Sequence, residues 1–159
     1  MTIRDAVEAE LDHVARLWYE GWRDAHATLL PEALARYRTL ESFRHRLDIK
    51  AQHLRVAGPV GKPTGMCIVK NDELNQLYVA ADARGKGLAG MLLSDGEARL
   101  RRDGTRTAWL ACAIGNARAA RFYEKNGWRL VGEEFILLDT PDGPFRLEVW
   151  RYDKALLQQ

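Results

Sequence analysis

Sulfur, serine and long apolar runs are all scarce in this sequence. Its 159 residues hold two cysteines, Cys67 and Cys112, and two serines, Ser42 and Ser94. Two cysteines in apolar, strand-like runs read as buried reduced thiols rather than a disulfide framework. Neither serine lies in a G-x-S-x-G turn, so a hydrolase nucleophile is not expected. The four histidines, His13, His26, His45 and His53, show no metal-ligand spacing with each other or with the cysteines, so no metal is expected. No run approaches the roughly 18 apolar residues of a membrane span. The opening residues read as a strand and then a helix, not as an export signal, so a cytoplasmic location is expected. Charge of one sign is lacking too: 24 Lys and Arg face 22 Asp and Glu, a net +2. The basic residues are spread out, with local clusters at 44–46 and 99–102, too thin for a polyanion footprint. Neither nucleic acid nor a membrane is an expected partner.

What the chain has is a core. Hydrophobic residues make up 47%, with five Trp, five Tyr and four Phe, which excludes disorder. The length suits one domain over residues 1–159, and such a chain buries roughly 70% of its unfolded surface without a covalent staple.

Val7, Leu11, Val14 and Trp18 recur at helical spacing and predict a helix from about Glu8 to Trp22. A second helical stretch covers Ala25 to Leu47, with Pro31 at a first-turn position. Residues 54–69 read as two strands around a Pro/Gly loop. Residues 73–79 form a third strand, with Leu74, Gln76 and Tyr78 on one face and Asn75, Leu77 and Val79 on the other. A glycine-rich turn then opens a helix over 88–101 with an apolar stripe, and a strand follows over 107–113. Asn116 caps a helix running through Lys125, and Asn126-Gly127 ends it. Strands at about 128–138 and 145–152 close the chain around a D-T-P-D-G-P turn. Strand 73–79, the helix and strand 107–113 make one β-α-β unit, hence a parallel pair. Hairpins on either side make the sheet mixed, so the class is α/β or α+β.

Arg84-Gly85-Lys86-Gly87-Leu88-Ala89-Gly90 follows a strand and opens a helix. N–H groups at such a turn lack intrahelical partners, and with the helix dipole they suit a pyrophosphate. Glycines let the backbone approach the phosphates, and Arg84 and Lys86 add charge. Residues 85–90 also match G-x-G-x-x-G, which keeps a dinucleotide-binding oxidoreductase as an alternative. That reading wants an acidic residue at the end of the next strand, where Cys112 and Ala113 stand.

Here the residues resemble the GNAT superfamily of acyl-CoA-dependent N-acyltransferases. Its signature [QR]-x-x-G-x-[GA] is met by Arg84 to Ala89, preceded by a strand ending in Leu77-Tyr78-Val79. About 30 residues on, Asn116-Ala117-Arg118-Ala119-Ala120-Arg121-Phe122-Tyr123-Glu124-Lys125-Asn126-Gly127-Trp128 fits the second signature, and the order of elements agrees over nearly the whole chain. The resemblance implies a GNAT fold: a mixed, mostly antiparallel sheet with a splayed parallel strand pair, flanked by helices. It implies acetyl-CoA as co-substrate, its pyrophosphate held by the N–H groups of Arg84, Gly85, Lys86, Gly87, Leu88 and Ala89. Pantetheine would pair with Leu77, Tyr78 and Val79 as an added strand, with the Val79 N–H as oxyanion donor. Asn116, Ala119 and Phe122 would complete the cofactor site.

The resemblance places Tyr123 as the acid for the departing thiolate. Its ordinary pKa of ~10 lies above a thiol's ~8.5, so a hydrogen bond fits better than full transfer. An ammonium acceptor must first lose a proton, and Glu73 is the implied base. On a regular strand Glu73 lies roughly 20 Å from Val79, at ~3.3 Å per residue, so a water chain or a bulge must bridge them. Asp72 and Glu73 also fit a solvated turn, and Glu20, Asp24 and Glu134 are other carboxylates on the acceptor side. Trp22 and His26 are the expected acceptor-binding residues. An aromatic pocket with Glu20 or Asp24 at its edge would suit a small cationic amine. The expected function is direct acetyl transfer to a primary amine of a small molecule or peptide. The alternative within the fold is an acyl-CoA-sensing module without turnover. A homodimer through the last strands, using Phe145 and Trp150, is a further expectation.

Overall fold

The computed structural model describes residues 2–157. Strand β1 (Ile3–Asp5) leads through a 3₁₀ turn into α1 (Leu11–His26), followed by α2 (Glu32–Ala35) and α3 (Leu40–Lys50). Next come β2 (Leu54–Ala57), β3 (Gly65–Lys70) and β4 (Glu73–Val79), then α4 (Leu88–Arg102) and β5 (Thr107–Ala113). The chain ends with α5 (Ala117–Lys125), β6 (Arg129–Leu138) and β7 (Phe145–Ala155). Among the described residues seven strands lie in the order β1-β2-β3-β4-β5-β7-β6, and only β4 and β5 are parallel. This is the mixed sheet expected from the sequence. One parallel pair is too little for a doubly wound dinucleotide fold, so the oxidoreductase alternative falls.

The long helical stretch expected over Ala25 to Leu47 is broken instead. Pro31 caps α2, and the Thr39 hydroxyl accepts the Ser42 N–H at 3.1 Å to start α3 anew. Helix α1 starts later than expected and continues past Trp22 to His26.

Two apolar clusters sandwich the sheet. On one face Leu92, Leu93 and Leu100 of α4 pack over Cys67, Val69, Leu74 and Leu110, with Tyr152 of β7. On the other, Val14 and Trp18 of α1 and Phe43 and Leu47 of α3 pack over Val56, Met66 and Ile68. Both cysteines are free and buried. Gly21 lets α1 lie close on β4: a Cβ there would fall 2.6 Å from the Tyr78 ring.

Strand β4 does not alternate as expected. Gln76 pairs with Ile68 but Leu74 with Val69, leaving Asn75 as an extra, bulged residue. The bulge reverses the facing of everything before it. Leu74 joins Leu77 and Val79 against α4, while Glu73 turns to the face of Tyr78. Lys50 of α3 fixes the bulge through a 3.0 Å bond from Nζ to Asn75 Oδ1.

Phe145 and Trp150, expected at a dimer contact, pack inward against the second and first clusters respectively. The exposed apolar side chains at that end are Leu130, Val131, Phe135 and Leu137 of β6, the sheet's edge strand.

Candidate active site

Strands β4 and β5 pair only where they begin. Glu73 is in register with Trp109, whose backbone N–H donates to Asp72 O at 3.1 Å and whose indole N–H donates to Asp72 Oδ1 at 3.0 Å. Beyond that point the strands part, and Leu77 to Val79 face Ala111 to Ala113 across a cleft of about 760 Å³. A bulge increases local twist and bends its strand, and the one at Asn75 sits where the parting begins. Ala80 donates its N–H to Thr64 O, toward β3, at 2.8 Å. Successive residues of a strand point to opposite edges, so the Val79 N–H faces the gap.

The glycine-rich turn closes one end of the cleft. Gly85 and Gly87 both hold left-handed conformations, at φ +81° and +80°, which any other L residue adopts with strain. No atom stands within 4 Å of where a Cβ would be on either. The first bond inside α4 runs from Met91 N–H to Gly87 O at 3.2 Å, so the N–H groups ahead of it have no intrahelical acceptor. Arg84 lies 3.9 Å from Asp24 of α1. Lys86 turns the other way, beside a shallow hollow of about 220 Å³ with Thr64, Asp82 and Met91.

Helix α5 forms the wall on the α4 side. Asn116 caps it as expected, accepting the Ala119 N–H on Oδ1 at 3.2 Å. Phe122 and Tyr123 line the cleft. The Tyr123 ring sits 6.2 Å from Trp128 and 6.4 Å from Tyr152, and burial pushes its phenol well above the ordinary range. The Cys112 thiol, at the end of β5, is likewise pushed up by burial, to about 11.

On the opposite face the cleft runs between α1, the segment after it, and the far ends of β6 and β7. Trp22 is a core residue, 9% exposed, yet borders the cleft, its ring 5.5 Å from that of His26 and tilted 57° to it. Burial lowers the His26 pKa to about 4, so the ring is neutral at physiological pH. Glu73 is half-buried, and burial raises its pKa against the pull of Lys50 and Lys70. Of the other carboxylates considered, Glu20 is exposed, Asp24 faces Arg84, and Glu134 lies 3.4 Å from Arg151. None of the three lines the cleft. The cationic-amine pocket expected around Glu20 or Asp24 is therefore not formed by them.

One cleft thus gathers every expected site residue except Lys86. Three contributors escaped the sequence reading: the Asn75 bulge, Arg38 after α2, and the apolar wall of Ile136, Leu138, Leu147 and Val149. The bulge had left a signal. Leu74 and Leu77 are three apart, and a strict period of two cannot put both against α4.

A sheet parted between parallel strands, with a bare helix N-terminus at its mouth, is built for an extended anionic ligand running along its backbone edges. The chain belongs to the acetyltransferase (GNAT) family, whose profile matches residues 12–128, and it is an acyltransferase. It is 27% identical over 146 residues to a probable N-acetyltransferase of Mycobacterium tuberculosis, covering 84% of this chain and 82% of that one. Its fold is shared with a GCN5-related N-acetyltransferase from Rhodopseudomonas palustris (TM-score 0.74, 17% identity, 97% and 94% of the two chains). It is also shared with the PaiA N-acetyltransferase of Thermoplasma acidophilum in complex with coenzyme A (TM-score 0.69, 18% identity, 97% and 98%).

Proposed function

We propose that this acyltransferase carries the acetyl group of acetyl-CoA directly to a primary amine of a small molecule or peptide, with no covalent enzyme intermediate. The parting of β4 from β5 above Glu73 and Trp109 carries this reading. It leaves two backbone edges open on a cleft large enough for pantetheine, next to unpaired N–H groups suited to a pyrophosphate. The coenzyme A complex of the Thermoplasma protein, which has this fold, supports it.

Acetyl-CoA supplies an activated thioester carbonyl. The N–H groups of residues 84–89, with the Arg84 charge, take the phosphates at the positive end of α4. Backbone groups of Leu77 and Val79 bind and orient the pantetheine arm along the gap. The Val79 N–H stabilises the oxygen on which charge develops. Asn116 spends its carbonyl on the cap and keeps its NH₂ for a pantetheine carbonyl, while Ala119 and Phe122 close the apolar side.

Tyr123 remains protonated, since burial disfavours its anion. It donates a hydrogen bond to the leaving sulfur. The same burial raises the thiol of nearby Cys112 and the Tyr123 phenol alike, so the phenol stabilises the departing thiolate by hydrogen bonding rather than by full proton transfer. On the acceptor side Glu73 takes the amine's proton through water, because five strand residues still separate it from Val79. Its raised pKa suits that role. Trp22 and neutral His26 shape the acceptor's berth. The whole chain acts as one unit, and its two buried free thiols suit the reducing cytoplasm.

Thermal unfolding with acetyl-CoA, CoA and NADH side by side tests the reading. Acetyl-CoA at 100 times its Kd is expected to add ~2.7 kcal/mol, several degrees for a domain this size. NADH is expected to add nothing, and Gly87→Glu to abolish the acetyl-CoA shift. No shift at millimolar acetyl-CoA would sink the proposal. A shift without thiol release from any amine would leave a sensing module.

A further inference from the structure

The acceptor arm of the cleft is apolar, with one buried cation set into it. Arg38, in the link between α2 and α3, is only 6% exposed and borders the cleft. The one hydrogen bond its guanidinium makes among the described residues is a long one, from Nη1 to the backbone carbonyl of Asp139 at 3.3 Å. A guanidinium has five donors in a planar fork that matches a carboxylate. Burying such a group without an anionic partner is costly.

Arg38 is not alone. Arg46 of α3 lies over the rings of Trp18 and Phe43, at 4.4 and 5.4 Å. Lys50, a turn further along α3, is bonded to the neutral amide of Asn75. Among the described residues none of the three cations makes a salt bridge within 4.0 Å. Burial lowers the pKa of Arg46 to about 10 and that of Lys50 to about 8, and repulsion adds to it, from Arg38 on Arg46 and from Arg46 on Lys50. Among the described residues Asp139 at one end and Glu73 at the other oppose them, with the neutral Tyr78 phenol between and Lys70 adding positive charge beside Lys50 and Glu73. This part of the fold therefore holds an excess of positive charge in a poorly hydrated setting, where a field is least screened. Leu30, Leu34, Leu138 and Leu147 make up the surrounding apolar surface.

Resting on the acetyltransferase reading above, we infer that the acceptor is an amine with an apolar body that also carries a carboxylate, as a free amino acid does, and that Arg38 is the residue that binds the carboxylate. Held there by its carboxylate, the acceptor presents its amine toward the thioester, and Glu73 draws the amine's proton through water as proposed above.

Matched acceptors test this. Thiol release from acetyl-CoA is followed with leucine, leucinamide and isoamylamine, and with phenylalanine, phenylalaninamide and phenethylamine. The acids are expected to exceed their amides and amines by at least tenfold in kcat/KM, even though an amide's amine sheds its proton more readily. In Arg38→Gln that ratio is expected to fall at least tenfold, and Arg38→Lys to recover part of it. Equal losses on acid and amine, with a lowered Tm, would make Arg38 a strut to the β6–β7 turn and overturn the inference. Amides or amines used as well as the acids by the unaltered protein would also overturn it. Release with no compound of the panel would overturn this substrate class alone if acetyl-CoA still raised the Tm, and the transferase reading with it if acetyl-CoA did not.

Discussion

The two faces of the cleft are built by different rules. The face beneath α4 and α5 is made mostly of backbone: N–H groups at a helix start, a strand edge, and glycines that leave room. Its residues come from two short contiguous stretches, 77–89 and 116–123. The face beneath α1 and α3 is made of side chains brought from α1, α2, α3, β4, β6 and β7 and the links between them, with charge at buried Arg38 and at half-buried Arg46, Lys50 and Glu73. A backbone site needs particular residues in a row, because the chain must turn in a particular way. A side-chain site needs only that distant positions converge, and many sequences can arrange that.

If the faces divide the labour in this way, damage to each should look different. The largest effect is expected from Tyr123→Phe. The ring keeps its packing on Trp128 and Tyr152, so stability and the acetyl-CoA thermal shift are retained. Turnover falls about a hundredfold, the lower range for loss of a general acid. Loss of cofactor binding together with turnover would place the phenol in structure rather than chemistry.

A smaller effect is expected from Glu73→Gln on the other face: at least a tenfold fall in kcat, with acetyl-CoA binding unchanged. The unaltered protein must lose a proton from Glu73 before it can act. Its kcat/KM should therefore rise with pH through an apparent pKa above the ordinary carboxylate value, since burial raises that of Glu73. The variant should lack this limb. An unchanged pH profile in Glu73→Gln would assign the base elsewhere.

The smallest effect is on stability alone. His26 titrates at about 4 when folded and near 6.5 when unfolded. Between those values the unfolded chain binds the extra proton, so stability rises with pH across the window and is lost on acidification. Urea midpoints at pH 6.5 and 4.5 should show His26→Gln losing about 2 kcal/mol less than the parent. Equal losses would mean the imidazole is hydrated in the folded state.

The division also accounts for what the sequence disclosed. The order of strands, the parallel pair and the Asn116 cap follow from local periodicity and capping chemistry, as does the glycine turn. The break at Pro31 and Thr39 was written in residue types that favour helix starts, but the apolar spacing on either side hid it. The facing of Glu73 depended on a single bulged residue, which periodicity alone does not announce. Arg38 carried no local mark at all. Its meaning comes from being buried beside Leu138 and Leu147, about a hundred residues away, and burial is a property of the fold.

The bonds missing between β4 and β5 have a mechanical consequence. A sheet resists bending across its strands through the hydrogen bonds that join them. Here the half carrying β1–β4 and the half carrying β5–β7 are laced only at Asp72, Glu73 and Trp109. The free protein is thus two stiff plates sharing a pivot, tied elsewhere by the crossover through α4 and by side-chain contacts such as Tyr37 to Asp142 and Arg38 to Asp139. Any ligand that bonds to both lips of the gap adds lacing at the end farthest from that pivot, where leverage is greatest. Stiffness across the middle of the molecule then belongs to the complex, and amide protons at Leu77, Val79 and Ala111 should report it by slowing their exchange on binding.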